Sequence, residues 1–193
     1  IAAWCAYSGM QVTLADQSPE RIAPAMKRAY TLFKRRLKRT RPVQEAMDRL
    51  MPDHKGMGVE RADVVIEAIF EDADAKRSLY QQLEPRMRND AVLATNTSSI
   101  PLQELRGALN DPARLVGLHF FNPVAKMQLV EIVRDNETDA AVVARAIAFS
   151  RAIDRLPLPV SSTPGFLVNR ILMPYLLEAV ELENEGVPAA EID

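Results

Sequence analysis

Three polar side chains in the middle of the sequence have the types and the spacing of an alcohol-oxidising site. Ser98 lies in a polar turn after one apolar run, His119 lies inside the next, and Glu131 lies inside the one after that. Loss of hydride from a secondary alcohol requires a base for the hydroxyl proton, and a neutral imidazole oriented by a carboxylate provides one. A serine hydroxyl and an amide can hold the substrate oxygen as charge develops on it. Asn169 is the candidate for the amide.

Each of these side chains also has a structural interpretation. His119 is compatible with a histidine packed in an apolar strand, and Ser98 with a turn hydroxyl that caps a helix near Pro101. The second histidine, His54, lies in a polar segment and is predicted to be exposed. A serine hydrolase is disfavoured because the chain has no G-x-S-x-G, and no metal is expected because no group of ligand residues has metal-binding spacing.

The elements that would position these residues alternate along the chain between strand-like and helix-like patterns. Strand-like runs cover 12–16, 62–70, 91–96, 114–123, 127–134 and 156–160. Helix-like patterns cover 1–8, a long segment from Ser18, 72–87, 101–105, 138–152 and 166–186. This alternation predicts a doubly wound α/β sheet, in which ligands bind beyond the carboxyl ends of the strands.

Asp16 ends the first strand-like run. In dinucleotide-binding sheets an acid at this position accepts hydrogen bonds from the adenosine ribose, and it would repel a 2′-phosphate, which favours NAD over NADP. An acid in an ordinary strand-to-helix turn is the alternative. The chain contains no G-x-G-x-x-G, and residues 1–9 resemble the end of a first helix closed by Gly9. We therefore expect the first strand and the pyrophosphate loop to be absent, and NAD binding by this chain alone to be poor.

The composition limits the classes of partner. A net charge of −2 gives no reason to expect nucleic acid or an anionic membrane, and no apolar run is long enough to span a bilayer. Cys5 is the single cysteine, so an internal disulfide is impossible and a cytoplasmic location is favoured. If the protein is eukaryotic, a mitochondrial or peroxisomal location is the corresponding expectation.

Four long segments together resemble the 3-hydroxyacyl-CoA dehydrogenase family. They are ADVVIEAIFEDADAK (62–76), LATNTSSIPLQEL (93–105), GLHFFNPVAKMQLVEIV (117–133) and TPGFLVNRILMPYLLEA (163–179). The resemblance covers nearly the whole chain and is weakest over 40–61. It implies a Rossmann-type NAD-binding domain over 1–162 that lacks its first strand and glycine loop. It also implies that 163–193 begins an all-α C-terminal domain.

The same resemblance implies roles for individual residues. His119 would be the general base with Glu131 as its partner, and Ser98 and Asn169 would contact the 3-oxygen of the substrate. Cofactor contacts are implied for Asp16, Gln17, Glu71, Lys76, Ser98 and Asn122. The implied reaction is oxidation of L-3-hydroxyacyl-CoA to 3-oxoacyl-CoA with hydride transfer to NAD, in fatty acid β-oxidation.

Several alternatives stay open at this stage. The family includes dimeric single-function enzymes and multifunctional β-oxidation proteins, so a homodimer or a larger complex is expected, and two phrases resemble the multifunctional group. The same fold also serves as a lens structural protein, the domain could act as a non-enzymatic interaction module, and related dehydrogenases could act on other hydroxy acids. A basic run over 27–41 fits either CoA phosphates or a solvated helix. Helical spacing predicts a core position for five apolar residues, Phe166, Leu167, Ile171, Leu172 and Leu176.

Overall fold

The computed structural model describes residues 1–192 and has the alternating α/β architecture that the sequence predicts. Its strands are β1 (Val12–Leu14), β2 (Leu50–Pro52), β3 (Val64–Glu67), β4 (Val92–Thr95), β5 (Leu115–Phe120), β6 (Leu129–Arg134) and β7 (Leu156–Ser161). They form two sheets: β1 pairs with β2, and β3 to β7 form a five-stranded sheet in sequence order.

The described residues form eight α-helices. They are α1 (Ala2–Tyr7), α2 (Pro19–Leu37), α3 (Thr40–Asp48), α4 (Ala73–Leu83), α5 (Leu102–Arg106), α6 (Ala140–Ala152), α7 (Val168–Asn184) and α8 (Ala189–Ile192). Helix α1 ends before Gly9, whose φ of 98° suits a residue without a Cβ. Ser18 occupies the N-cap of α2 with Pro19 first in the helix, as the sequence predicts, although the Ser18 hydroxyl makes no capping bond.

Helices cover both faces of the larger sheet, which is why its central strands are buried and mostly apolar. Residues of β4 alternate between the two faces. Val92 and Ala94 pack into one cluster with β5, β6 and α6, whereas Leu93 packs into a second cluster with residues of α4 and α5. A third cluster joins α1, α2 and α3 around Phe33. Both faces of the sheet are therefore buried, as in a doubly wound fold.

The strand directions differ from a uniformly parallel sheet at one point. Strands β3, β4 and β5 are parallel, but β6 runs antiparallel to β5, and β7 is parallel to β6. No helix lies between β5 and β6, and a short connection can join only antiparallel neighbours. This reversal places His119 directly opposite Glu131 in the register.

The break between the two sheets falls where the sequence predicts a missing strand. In the common dinucleotide-binding strand order 3-2-1-4-5-6, the strands β2, β1, β3, β4 and β5 correspond to positions 3, 2, 4, 5 and 6. Position 1, between β1 and β3, holds no strand from the described part of the chain. Strand β1 is accordingly only partly buried: Val12 and Leu14 are half-buried and Thr13 is exposed.

Helix α7 corrects another expectation. Phe166 is buried with 2% exposure, but Leu167, Ile171, Leu172 and Leu176 are 40%, 67%, 44% and 45% exposed, and α7 has no buried residue. The apolar pattern was correctly recognised, but an apolar face is buried only where another element packs against it. No helix within the described residues is both long and apolar enough to cross a bilayer.

Candidate active site

A histidine–glutamate pair lies at the junction of β5 and β6. Nδ1 of His119 is 2.7 Å from Oε2 of Glu131, and the His119 and Glu131 side chains are 9% and 0% exposed. The two residues are direct cross-strand partners, so their side chains project from the same face of the sheet. The imidazole also packs against the rings of Phe121 and Phe166, at centroid distances of 4.7 and 5.5 Å. Packing and pairing together fix the orientation of the ring.

The second oxygen of Glu131 connects the pair to α7. Oε1 accepts hydrogen bonds of 2.9 Å from the backbone N–H groups of both Leu167 and Val168, where α7 begins. These two bonds fix the orientation of the Glu131 carboxylate at the start of the helix. An ionised Glu131 accepts a hydrogen bond from Nδ1–H of His119, which leaves the lone pair on Nε2. Nε2 has no hydrogen-bond partner among the described residues and is available as a base.

The turn after β4 is held by Glu71. Oε1 of Glu71 lies 2.5 Å from the Thr97 hydroxyl and 2.8 and 3.1 Å from the backbone nitrogens of Ser98 and Ser99. The hydroxyls of Ser98 and Ser99 both lie 3.2 Å from the same oxygen. Partial burial opposes ionisation of Glu71, but the hydrogen bonds from this turn and the charge of Lys76 outweigh it and lower its pKa to about 2.

Ser98 and Asn169 face each other across the site. Nδ2 of Asn169 is 3.5 Å from the backbone oxygen of Ser98, at the outer limit of a hydrogen bond. Asn96 connects this turn to β5, because its Oδ1 accepts a 3.0 Å bond from the backbone N–H of Phe120. The structure therefore assembles Ser98, Asn169 and the His119 pair around one end of β4 and β5. No hydrogen bond joins the Ser98 hydroxyl to the imidazole within the described residues.

A buried polar cluster that the sequence analysis did not predict lies beneath Glu71. Its centre is Glu67, the last residue of β3, whose carboxylate accepts bonds from Lys76, Tyr80 and Thr95 and from the backbone of Ile69. The signal for it was an acid inside the otherwise apolar run ADVVIEAIF. Lys76 was expected to contact the cofactor. Its side chain is only 1% exposed and is enclosed between the carboxylates of Glu67 and Glu71.

The other cofactor candidates lie at exposed positions at the carboxyl ends of strands. Asp16 and Gln17 follow β1 and are exposed, with Asp16 Oδ1 accepting a 2.7 Å bond from the Gln17 N–H. Asn122 is exposed just after β5. Together with Glu71 and Ser98, these residues lie at the edge of the sheet where dinucleotides bind in such folds, and their contact with NAD stays a prediction. The residues that would hold the pyrophosphate are not among those of the chain.

The loop between β5 and β6 is tied down by two arginines that contact Trp4. Arg36 donates a 2.6 Å bond to the backbone oxygen of Ala125, and Arg155 donates a 2.9 Å bond to that of Val124. Both guanidinium groups lie over the Trp4 ring, at 5.5 and 3.9 Å from its centroid. The Trp4 indole N–H donates a 2.7 Å bond to the backbone oxygen of Ile153. Arg36, a member of the basic run, thus supports the loop that carries Asn122.

The remaining predictions concern exposed residues and metals. His54 is exposed, as the sequence predicts, and the other cations of the basic run are exposed on and after α2. Their contact with CoA phosphates stays a prediction. The residues that the structure describes contain no group of histidine, cysteine and acidic side chains arranged to bind a metal ion.

Comparison with known proteins shows extensive similarity. The family model "3-hydroxyacyl-CoA dehydrogenase, NAD binding domain" matches residues 1–163. FadB2 from M. tuberculosis has 33% sequence identity and a TM-score of 0.93, with 98% of this chain and 69% of that chain covered. The 3-hydroxybutyryl-CoA dehydrogenase from Escherichia coli K12 has 35% identity and a TM-score of 0.92, with 97% and 41% covered. PaaH1 from Ralstonia eutropha, a (S)-3-hydroxybutyryl-CoA dehydrogenase, has 31% identity and a TM-score of 0.93, with 100% and 70% covered.

Proposed function

Since the chain belongs to the 3-hydroxyacyl-CoA dehydrogenase family, an NAD-dependent family of oxidoreductases, we propose that it supplies the base-bearing half of an L-3-hydroxyacyl-CoA dehydrogenase. The observation that carries the proposal is the His119–Glu131 pair, with Nδ1 engaged and Nε2 available. We further propose that 1–162 is the NAD-binding domain and that 163–193 begins the helical domain. The end of the family match at residue 163 supports that boundary.

The proposed mechanism assigns one step to each side chain. Nε2 of His119 takes the proton of the substrate 3-hydroxyl as the C3–H bond breaks, and Glu131 stabilises the imidazolium that forms. When bound, NAD would supply the acceptor for the hydride that leaves C3 as the alcohol becomes a ketone. Ser98 and Asn169 hold the 3-oxygen through hydrogen bonds that strengthen as its negative charge grows. Asp16, Gln17, Glu71 and Asn122 would orient the cofactor at the carboxyl ends of the strands.

The similar proteins support a CoA thioester as the substrate class. Two of them are named 3-hydroxybutyryl-CoA dehydrogenases, which favours a 3-hydroxyacyl-CoA substrate and a role in fatty acid β-oxidation. A structure titled as the dehydrogenase part of a multifunctional enzyme from C. elegans, with 28% identity, supports the multifunctional arrangement as one form of the complete protein. A homodimer is the proposed alternative assembly.

A second candidate function is oxidation or reduction of another hydroxy or carbonyl compound. It is favoured by similarity to the structure of a diketoreductase that acts on dicarbonyl compounds, with 27% identity and a TM-score of 0.90. Assays of the complete enzyme with 3-hydroxyacyl-CoA, with the free hydroxy acid and with sugar acids separate the two. Turnover that does not depend on the CoA moiety would contradict the first proposal.

Replacement of the proposed base tests the chemistry directly. His119→Ala should lower kcat of the complete enzyme by about 10² to 10⁴, because positioned general bases contribute that much. His54→Ala is the matched control, since His54 is the other histidine and is exposed. Circular dichroism should show both variants folded. Near-normal turnover in folded His119→Ala would mean that another group removes the proton.

A further inference from the structure

The carboxylate of Glu67 is enclosed and fully used. Its Oε1 accepts 2.7 Å bonds from the backbone N–H of Ile69 and from Nζ of Lys76. Its Oε2 accepts 2.8 Å bonds from the hydroxyls of Tyr80 and Thr95. Four donors from the end of β3, from α4 and from β4 therefore fix a charge that is otherwise costly to bury. Apolar side chains could fill this position at less cost, so the retained charge calls for an explanation.

The ammonium group of Lys76 forms ion pairs with both Glu67 and Glu71. Its ammonium group lies 2.7 Å from Oε1 of Glu67 and 3.4 Å from Oε2 of Glu71, and its side chain is almost completely buried. A lysine shared between two carboxylates is held from both sides. The shorter contact is to the fully buried Glu67, so Glu67 determines where the ammonium group lies and hence what charge Glu71 meets.

Glu71 divides its two oxygens between this buried cation and the exposed turn. Oε2 faces Lys76, while Oε1 receives the backbone N–H groups of Ser98 and Ser99 and three hydroxyls. Rotation of the carboxylate would break either set of contacts. The position of Ser98, which the proposed mechanism places at the substrate oxygen, therefore depends on the buried ion pair below it.

We propose that Glu67 and Lys76 are positioning residues that hold the Ser98 turn in place through Glu71. The consequence for the reaction rests on the proposed function, whereas the positioning itself does not. Lys76 then supports the carboxylate of Glu71 from its buried side. Tyr80 belongs to the same unit: burial, reinforced by the charge of Glu67, raises its pKa, so its hydroxyl remains a hydrogen-bond donor at physiological pH.

Hydrogen exchange on this chain tests the positioning without any activity. Glu67→Gln keeps the shape of the side chain and removes the charge that holds Lys76. The Ser98 and Ser99 amides should then exchange about tenfold faster, because Glu71 loses the fixed cation that orients its carboxylate and its hydrogen bonds to those amides weaken. Glu84→Gln is the matched control, because Glu84 is also buried but binds the backbone of Asn110 and Asp111. If Glu67→Gln does not fold, Tyr80→Phe takes its place. This variant removes a single donor to Glu67 and should increase exchange at the same two amides by less than about tenfold.

The exchange result has one outcome for the proposal and two against it. Faster exchange confined to the Ser98 turn supports it. Equal acceleration in Glu67→Gln and Glu84→Gln would show only a general loss of stability, and unchanged Ser98 and Ser99 amides would show that Glu71 needs no support. Neither contrary result would affect the assignment of His119 as the base.

A double-mutant cycle tests the consequence for catalysis in the complete enzyme. Glu67→Gln should lower kcat/KM about tenfold, since small misplacements of positioning groups have large effects on rate. In the background of Glu71→Gln the same change should alter kcat/KM by less than about twofold, because the intermediary is already lost. Additive effects would contradict the proposal. If the unsubstituted complete enzyme lacks dehydrogenase activity, the proposed function fails while the exchange result stands.

Discussion

At the scale of single residues, the acids of the site orient other groups. Each of Glu67, Glu71 and Glu131 uses its two oxygens on different partners. Such a carboxylate cannot turn without losing one set of contacts, so it fixes the geometry of what it binds. Nε2 of His119, in contrast, has no hydrogen-bond partner among the described residues.

We expect Glu71 to account for part of the folding stability that the chain loses at acid pH. Its pKa is lowered from 4.5 to about 2 by the hydrogen bonds of the turn and by Lys76, which outweigh the opposing effect of burial. A depressed pKa contributes stability above pH 4.5 that is lost as the pH falls from 4.5 towards 2. Glu71→Gln should therefore lose less stability than the parent chain when the pH is lowered from about 5.5, above this range, to about 3, within it.

Urea unfolding at those two pH values measures this difference. Glu104→Gln is the control, because it makes the same chemical change at an exposed carboxylate whose side chain has no hydrogen-bond partner among the described residues. A Glu71→Gln variant with the same acid sensitivity as the parent would show that the turn does not hold the ionised form.

Sequence reasoning located the residues that carry the chemistry better than those that support them. The spacing of His119 and Glu131 on neighbouring strands led to a pair that the structure places in contact. Glu67 was missed because its partners Lys76, Tyr80 and Thr95 come from separate elements, and linear spacing contains no signal for such contacts.

At the scale of elements, two helix starts that look alike in sequence should differ in energy. Asp139 caps α6 by accepting a 2.7 Å bond from the Ala141 N–H, whereas the Ser18 hydroxyl at the start of α2 makes no capping bond. Asp139→Ala should lower the free energy of unfolding by about 1 kcal/mol, and Ser18→Ala by a few tenths. Chemical denaturation of both variants measures the difference, and equal losses would contradict the geometry of the caps.

Most strands and helices could be predicted from periodicity, with errors at particular elements. Strand β2 was missed because it has three residues, one of them Pro52, which is too short for an alternating pattern to be visible. The reversal at β6 could not be predicted from apolar content, because strand direction leaves no periodic signal. Helix α2 ends at Leu37 and α3 starts at Thr40, a break in which Lys38 adopts a φ of 57° without glycine to announce it.

At the scale of the whole molecule, the adenosine and nicotinamide sides of the proposed cofactor site lie on two separate sheets. Asp16 follows β1 in the small sheet, and Ser98 and Asn122 follow strands of the large one. No glycine-rich loop in the chain connects these sides through a pyrophosphate site. We expect isothermal titration to show that this chain alone binds NAD weakly or not at all. Affinity equal to that of the complete enzyme would overturn this expectation.

The exposed apolar face of α7 shows the limit of pattern-based core prediction. Amphipathic spacing identifies a face that tends to be buried, but burial depends on what packs against it. Phe166 is buried because it lies over the sheet beside His119, whereas Ile171 and Leu176 extend away from it. The pattern was therefore sufficient to predict the helix but not its contacts.

The arginine-stacked indole has a practical consequence for watching this protein at work. Trp4 is the single tryptophan of the chain, and Arg36 and Arg155 connect it to the backbone of the loop that follows Asn122. Indole emission is sensitive to the charge and the hydrogen bonding around the ring. The chain thus contains an intrinsic fluorophore in contact with the arginines that hold the loop between β5 and β6, so the environment of that loop can be monitored without a label.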